Sequence, residues 1–156
     1  MTSDAVGSVT FVEPRLLWPL RLQTLRPGQP QSSVHHDYDE SPGSVHVGAF
    51  DADGEVVACA SFVPEPYADG RPAWRLRAMA TSPRVRGQGY GARALLFGIA
   101  EVRRRGGDLL WCNARSPAVG FYQRLGLRCV GEEFELPDIG PHFLMVLDLI
   151  VVSPAC

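Results

Sequence analysis

A strand that runs into a glycine-rich turn and out into an amphipathic helix constrains this chain more than any other feature. Trp74, Leu76, Ala78 and Ala80 alternate with Arg75, Arg77, Met79 and Thr81, the two-residue period of a strand. Ser82-Pro83 ends that strand, and Arg86-Gly87-Gln88-Gly89-Tyr90-Gly91 follows. From about Tyr90 to Arg105, Leu95, Ile99 and Val102 form one apolar stripe, and Arg103-Arg104-Arg105 suits the negative end of a helix dipole. Gly106-Gly107 then stops the helix. The chain therefore needs a sheet with at least one helix packed on it.

The flanking segments extend that sheet. Ser8 to Val12 suits an opening strand, and the leucines at 16, 17, 20, 22 and 25 suit a short amphipathic helix over Pro14 to Leu25, with Pro19 near its start. Arg26 to Gly43 is polar, turn-rich and without period, which predicts a long loop. Val45 to Phe50 and Glu55 to Val63 read as a hairpin across Asp51-Ala52-Asp53-Gly54, and Pro64 to Pro72 as a second loop. Leu109-Leu110-Trp111-Cys112 is almost wholly apolar, as expected of a central parallel strand buried on both faces. Ser116-Pro117 supplies an N-cap and first-turn proline for a helix to about Leu125, with Gly126 as its C′ glycine. Leu127 to Leu136 and His142 to Val151 make a last hairpin across Pro137-Asp138-Ile139-Gly140. The order ββ, β, α, β, α, ββ predicts an α/β fold built on a mixed sheet, and a length of 156 residues suits one domain over 1–156.

Composition narrows the partners. Fifteen lysines and arginines against 17 aspartates and glutamates leave a formal charge of −2, so there is no global attraction to nucleic acid or anionic membrane. Any basic site must be local. No apolar run approaches the ~20 residues that span a bilayer, and Met1-Thr2-Ser3-Asp4 lacks the features of a signal peptide, so the cytoplasm is the expected location. Cys59, Cys112, Cys129 and Cys156 are scattered without a CxxC pair, and three of them lie in apolar strand-like runs. Neither a disulfide framework nor a metal site is expected.

The glycine-rich turn carries the chemistry. Glycines between a strand and a helix let backbone N–H groups crowd an anion, and the helix N-terminus adds partial positive charge, so the turn suits a phosphate or pyrophosphate. Arg84 and Arg86 add full charges. The Gly-Lys-Ser/Thr ending of a P-loop is absent, and a Rossmann site has only Glu101 or Asp108 as poor candidates for its ribose-binding acid.

Met79-Ala80-Thr81-Ser82-Pro83-Arg84-Val85-Arg86-Gly87-Gln88-Gly89-Tyr90-Gly91-Ala92 resembles the acetyl-CoA signature of the GCN5-related N-acetyltransferase (GNAT) superfamily, with Arg86, Gly89 and Gly91 matching its Q/R-x-x-G-x-G/A core. A second block resembles the family as well, with Asn113 at the end of the buried strand, Ala118 in the next helix and Phe121-Tyr122-Gln123-Arg124-Leu125-Gly126-Leu127 after it. The likeness covers roughly Val45 to Leu149. It implies the GNAT fold, a mixed and mostly antiparallel sheet flanked by helices, and acetyl-CoA as donor, with no metal. Strand splaying would open the donor site. Amides of Met79 and Thr81, on either side of Ala80, would pair with the pantetheine arm, and amides of Gly87, Gln88, Gly89, Tyr90, Gly91 and Ala92, with Arg86, would hold the pyrophosphate. Asn113 would meet the pantetheine or acetyl end, and Tyr122 would return a proton to the CoA thiolate. A homodimer through the C-terminal strands is a further option that the superfamily offers.

Such groups are needed because an amine attacking a thioester creates an oxyanion, and the departing thiolate is stabilised by a nearby proton donor. The amine must also arrive neutral. Glu132, Glu133, Glu135, His142 and His46 are the candidates to take its proton; His142 lies in a tail, Ile139-Gly140-Pro141-His142-Phe143-Leu144-Met145, that resembles a bacterial ElaA-like subgroup. Arg77 is either a substrate anchor or an exposed strand arginine, and His35 to Glu40 either a site for a cationic acceptor or a solvated loop. Cys112 reads as core rather than nucleophile. The resemblance implies direct acetyl transfer to a primary amine of a small molecule, with a protein lysine or N-terminus, or a catalytically silent acyl-CoA-binding module, as the alternatives.

Overall fold

The computed structural model describes residues 7–150, so Val151 of the last predicted strand and Cys156 lie outside the described residues. Seven strands form a mixed, mainly antiparallel sheet: β1 (Val9–Phe11), β2 (Val45–Phe50), β3 (Val56–Pro64), β4 (Trp74–Thr81), β5 (Leu109–Arg115), β6 (Arg128–Leu136) and β7 (Gly140–Asp148). The helices are α1 (Trp18–Leu25), α2 (Tyr90–Arg104) and α3 (Val119–Arg124). Among the described residues no helix is long and apolar enough to cross a membrane. The chain divides into two compact units. The first takes residues up to Val63 together with Leu76–Val102, and the second takes Pro64–Arg75 together with residues from Arg103 on.

In the first unit, β1 pairs antiparallel with β2 and β2 with β3, in the register Val45↔Phe62 to Ala49↔Ala58. Leu17 and Leu20 pack on Cys59 and Ala80, whereas α2 lies against Phe62, so the two helices cover opposite faces of the sheet. A Cβ at Gly98 would overlap Cε1 and Cζ of the fully buried Phe62 ring. Gly98→Ala should therefore lower stability by about 1–3 kcal/mol despite the better helix propensity of alanine. A denaturant midpoint at or above that of the wild type would refute the tight α2–β3 contact.

The helix expected over Pro14 to Leu25 is split. Pro14–Leu17 is a 3₁₀ turn and the α-helix begins at Trp18, which places Pro19 in the first turn, where a missing N–H is harmless. The segment expected as loop carries two further 3₁₀ turns, Gln31–Val34 and Asp37–Glu40.

In the second unit, the first residues of β4 pair parallel with β5 (Trp74↔Leu110, Arg75↔Trp111), and β7 lies antiparallel between β5 and β6. Ala73, Leu109 and Val146 form a core bordered by Tyr67, Trp111 and Val130. Arg75 stacks on Trp111 with its Cζ 4.6 Å from the ring centroid and pairs with Glu65 at 3.1 Å. The last turn of α3 closes as predicted on Gly126 (φ 100°): the Gly126 N–H donates to the Gln123 carbonyl and the Leu127 N–H to the Tyr122 carbonyl, the paired bonds of a Schellman motif. Ser116 does not cap α3. Its Oγ donates instead to Glu133 Oε2 at 2.7 Å, and Ser116–Ala118 forms a 3₁₀ lead-in.

Candidate active site

The glycine turn is built as the sequence suggests. Gly87 (φ 81°) and Gly89 (φ 88°) occupy the left-handed region, and a Cβ at either would meet nothing within 4 Å. These glycines are therefore required by the backbone path and leave open space over the start of α2. The first bond into the helix is Arg93 N–H to the Gly89 carbonyl at 3.0 Å, so the amides ahead of it belong to the helix end that points outward. Buried Tyr90 and Gly91 fix that end to the core, and Arg86 is exposed beside it. A helix end of this kind, with free amides and open space in front of it, can hold a phosphate-like anion. Arg84 does not contribute as expected: it reaches back to Asp51 at 2.7 Å and Glu55 at 3.2 Å, and its hydrogen bond holds the Asp51 carboxyl below the usual carboxylate range. Its charge is spent on the β2–β3 turn.

Upstream, the simple alternation read for β4 fails at one residue. Ala78 has φ 53°, a conformation alanine adopts only at some energetic cost, and its carbonyl accepts from Cys59 Sγ at 3.4 Å. Arg77 lies over Tyr38 on the α1 face, and Ala80, three residues on, packs on that same face against Leu17 and Leu20. A regular strand would put them on opposite faces, so the kink at Ala78 resets the side-chain phase just ahead of Met79 and Thr81. The kink has no sequence signal, because alanine marks no special backbone geometry.

The same face holds a polar network that sequence reasoning missed. Arg21, fully buried in α1, donates NH1 to Asp39 Oδ2 at 2.7 Å and to the Val34 carbonyl at 2.9 Å, and NH2 to Asp39 Oδ1 at 3.0 Å and Ser61 Oγ at 2.9 Å. Trp18 Nε1 and the His36 amide also donate to Asp39 Oδ2. Burial alone would raise the Asp39 carboxyl, but the bonds from Arg21 and Trp18 outweigh it and hold the group below its usual range. His46 Nδ1 lies 2.7 Å from Ser61 Oγ, its Nε2 is buried without a partner, and burial pushes its pKa down. Within His35 to Glu40 the one buried carboxylate, Asp39, is held internally by Arg21, Trp18 and the His36 amide, while His35, Asp37 and Glu40 are exposed. The available signal was Arg21 itself, four residues from both Leu17 and Leu25 on the apolar stripe of α1.

In the second unit, Asn113 lies within β5 and not at its end, since pairing with β7 continues through Ala114↔Phe143 and Arg115↔His142. Ladder bonds to β7 carry the strand past the polar residue that seemed to end it. Asn113 shares a face with Trp111 and Arg115, while buried Cys112 and Ala114 take the other. Gly126, just after α3, approaches Leu147, the cross-strand partner of Leu110, so the end of α3 packs over the Cys112 face. Tyr122, only 6% exposed, sits in the last turn of α3 with the Phe121 ring edge-on at 5.2 Å.

His142 is 3% exposed in β7 and stacks on Phe134. Its Nδ1 lies 2.8 Å from the Gly140 carbonyl, which can only accept, so Nδ1 carries the proton and the lone pair of the neutral ring is on Nε2. Of the acidic candidates, Glu132 and Glu135 are exposed, and Glu133 is tied to Ser116. β6 bulges here, with Gly131, Glu132 and Glu133 between the pairs Val130↔Leu144 and Phe134↔His142. Burial pushes the Cys112 thiol up to about 12, which removes it as a nucleophile near neutral pH.

A sequence model of the acetyltransferase (GNAT) family matches residues 15–127. YitI, an uncharacterized N-acetyltransferase of Bacillus subtilis (strain 168), is 35% identical over 130 residues, 82% of this chain and 87% of YitI. An aminoglycoside 6'-N-acetyltransferase complexed with coenzyme A superposes with a TM-score of 0.75 at 18% identity, over 94% of this chain and 99% of its own. ElaA of Escherichia coli superposes with a TM-score of 0.73 at 17% identity, over 90% and 99%. At such identities the two structures speak to the fold alone.

Proposed function

We propose, from the premise that this chain belongs to the acetyltransferase (GNAT) family and is an N-acetyltransferase, that it moves an acetyl group from acetyl-CoA directly to a primary amine of a small molecule. Residues 1–156 act as one domain in this proposal, which the family match across parts of both units supports. The observation that carries it is the open, glycine-lined end of α2, where positive-φ glycines clear the space and Arg86 adds charge.

In this scheme the amides of Met79 and Thr81 hold the pantetheine arm, with Ala80 buried between them to fix the strand. The amides from Gly87 to Ala92, those of Gln88, Gly89, Tyr90 and Gly91 among them, bind the pyrophosphate together with Arg86. Asn113 contacts the pantetheine or acetyl end. The neutral amine attacks the thioester carbonyl, the oxyanion forms and collapses, and the C–S bond breaks. Tyr122 gives its proton to the departing thiolate and is restored by the proton that the nitrogen of the collapsing intermediate sheds, a fitting acid because the ordinary phenol and thiol pKa values, about 10 and about 8.5, lie close together. His142 removes the proton of the incoming ammonium through Nε2, the atom on which the Gly140 carbonyl leaves the lone pair. Arg77 anchors the acceptor.

Calorimetry with acetyl-CoA tests the donor site. Arg86→Ala should weaken binding by about 1–3 kcal/mol, the worth of a charge-assisted phosphate contact. Equal affinity of wild type and variant would remove Arg86 from the site, and no binding by the wild type would remove the site.

A further inference from the structure

The two edges of the sheet are not alike. β6, at one edge, carries Glu132, Glu133 and Glu135 and bulges at Gly131, and charge and irregularity of that kind keep a second chain from pairing with an edge. β1, at the other edge, lies in Ser8-Val9-Thr10-Phe11-Val12, which has no charged residue, and among the described residues no strand pairs with its outer side. The Ser8 carbonyl accepts from the Phe50 amide, and the Val12 amide donates to the His46 carbonyl. Bonded residues alternate in an antiparallel ladder, so Ser8, Thr10 and Val12 turn their backbone groups to β2 while Val9 and Phe11 turn theirs outward.

Side chains add to this edge. The Phe11 ring lies 4.8 Å from that of Phe97, which puts Phe11, and Val9 two residues before it, on the α2 side of the sheet. There Val9, Arg93, Leu96 and Phe97 line an open hollow. Phe11, Leu96 and Phe97 are 48%, 49% and 36% exposed, and they are three of the five large apolar side chains left exposed among the described residues. Apolar surface concentrated beside an unpaired edge marks a place for another chain.

We infer that the occupant is a second copy of this chain, joined through β1 in antiparallel register about a two-fold axis at Thr10. The edge is self-complementary in that register: Val9 of each copy exchanges both backbone bonds with Phe11 of the other, so every outward N–H and carbonyl of the two strands is used. The axis also sets α2 antiparallel to its copy near the level of Phe97, whose ring touches Phe11. Exposed Arg93 lies about a turn before Phe97 and Glu101 about a turn after it, so each copy's Arg93 faces the other's Glu101. Opposite charges on either side of an apolar centre are what a two-fold contact requires and an unrelated peptide does not. The inference goes beyond acetyl transfer and does not depend on it.

Sedimentation tests it. The wild type should be dimeric at about 100 μM and dissociate on dilution toward about 1 μM, as expected of a small interface. Val9→Pro removes an outward N–H and keeps the β1–β2 bonds, and Leu96→Glu puts a charge in the apolar centre. Each should raise the dissociation constant roughly 10- to 100-fold with an unchanged far-UV circular dichroism spectrum. Thr10→Cys sets a thiol on the axis, in a non-hydrogen-bonded pair with Cα atoms about 4.5 Å apart, and should form a disulfide-linked dimer in air. Ser8→Cys, whose copies lie four residues apart in this register, should cross-link no more than the wild type. A wild type that stays monomeric at the higher concentration overturns the inference. A dimer that survives Leu96→Glu, or that gives no cross-link through Thr10→Cys, also overturns it, because the copies then meet elsewhere, as at the C-terminal strands. These two variants decide the matter even where Val9→Pro fails to fold.

Discussion

Arg21→Met is expected to destabilise the protein by about 3–5 kcal/mol at pH 7, because it strips the counter-ion from a carboxylate that cannot reach water. The Arg21 and Asp39 side chains are 0% and 1% exposed, and two of the four hydrogen bonds that Asp39 accepts come from Arg21. The effect should depend on pH with a definite sign. In the native protein Asp39 ionises below its ordinary range, so its contribution is complete above about pH 4 and is lost as pH falls through the folded value. In the variant, the bare carboxylate is raised by burial, so the penalty is present near neutrality and fades once both states are protonated, below about pH 4. The gap between wild type and variant should therefore narrow on acidification. Replacing both partners, Arg21→Met with Asp39→Leu, should recover most of the loss at pH 7. Denaturant titrations at pH 7 and pH 4 decide this, and a gap that does not change with pH would mean that lost packing dominates, not an orphaned charge.

This network also marks where sequence reading stops. The strands and helices that bury one face announce themselves by period: α2 from Leu95, Ile99 and Val102, β2 and β3 from apolar runs around Asp51-Ala52-Asp53-Gly54, and the end of α3 from Gly126. Each of those signals depends on a few neighbouring residues. The shape of Arg26 to Gly43 does not, since Asp39 is placed by a partner 18 residues earlier in α1 and by Ser61 on β3 through that partner. No local pattern encodes a long-range ion pair. The one visible clue was an arginine on a leucine stripe, which ordinarily reads as a side chain that snorkels to water.

The candidate site divides along the same line. Gly87 and Gly89 were legible because positive φ and open space are things only glycine supplies cheaply, and the positions of both in the turn agree with the structure. The kink at Ala78 was not, because alanine carries no such mark, and it decides that Arg77 faces α1 together with Ala80. Arg84 was assigned to the anion for its proximity in sequence, while the acids of the β2–β3 turn, Asp51 and Glu55, compete for it in space. Asn113 was expected at the end of β5, and the pairing that carries the strand on to Arg115 lies in β7, far along the chain from it.

Tyr122→Phe should lower kcat by about a hundredfold while leaving the fold and most of the donor affinity in place. Tyr122 is buried in the last turn of α3, its backbone held by the bonds to Leu125 and Leu127, so phenylalanine keeps the packing against Phe121 and removes only the hydroxyl. If the phenol protonates the thiolate, its loss acts on the step in which the C–S bond breaks and not on ground-state binding, so kcat and kcat/KM should fall together. A structural role for the hydroxyl would instead show as a lowered denaturation midpoint with turnover in proportion to folded protein. A kcat within about twofold of the wild type would take the acid role from Tyr122, and the thiolate would then have to leave unprotonated or take its proton from water.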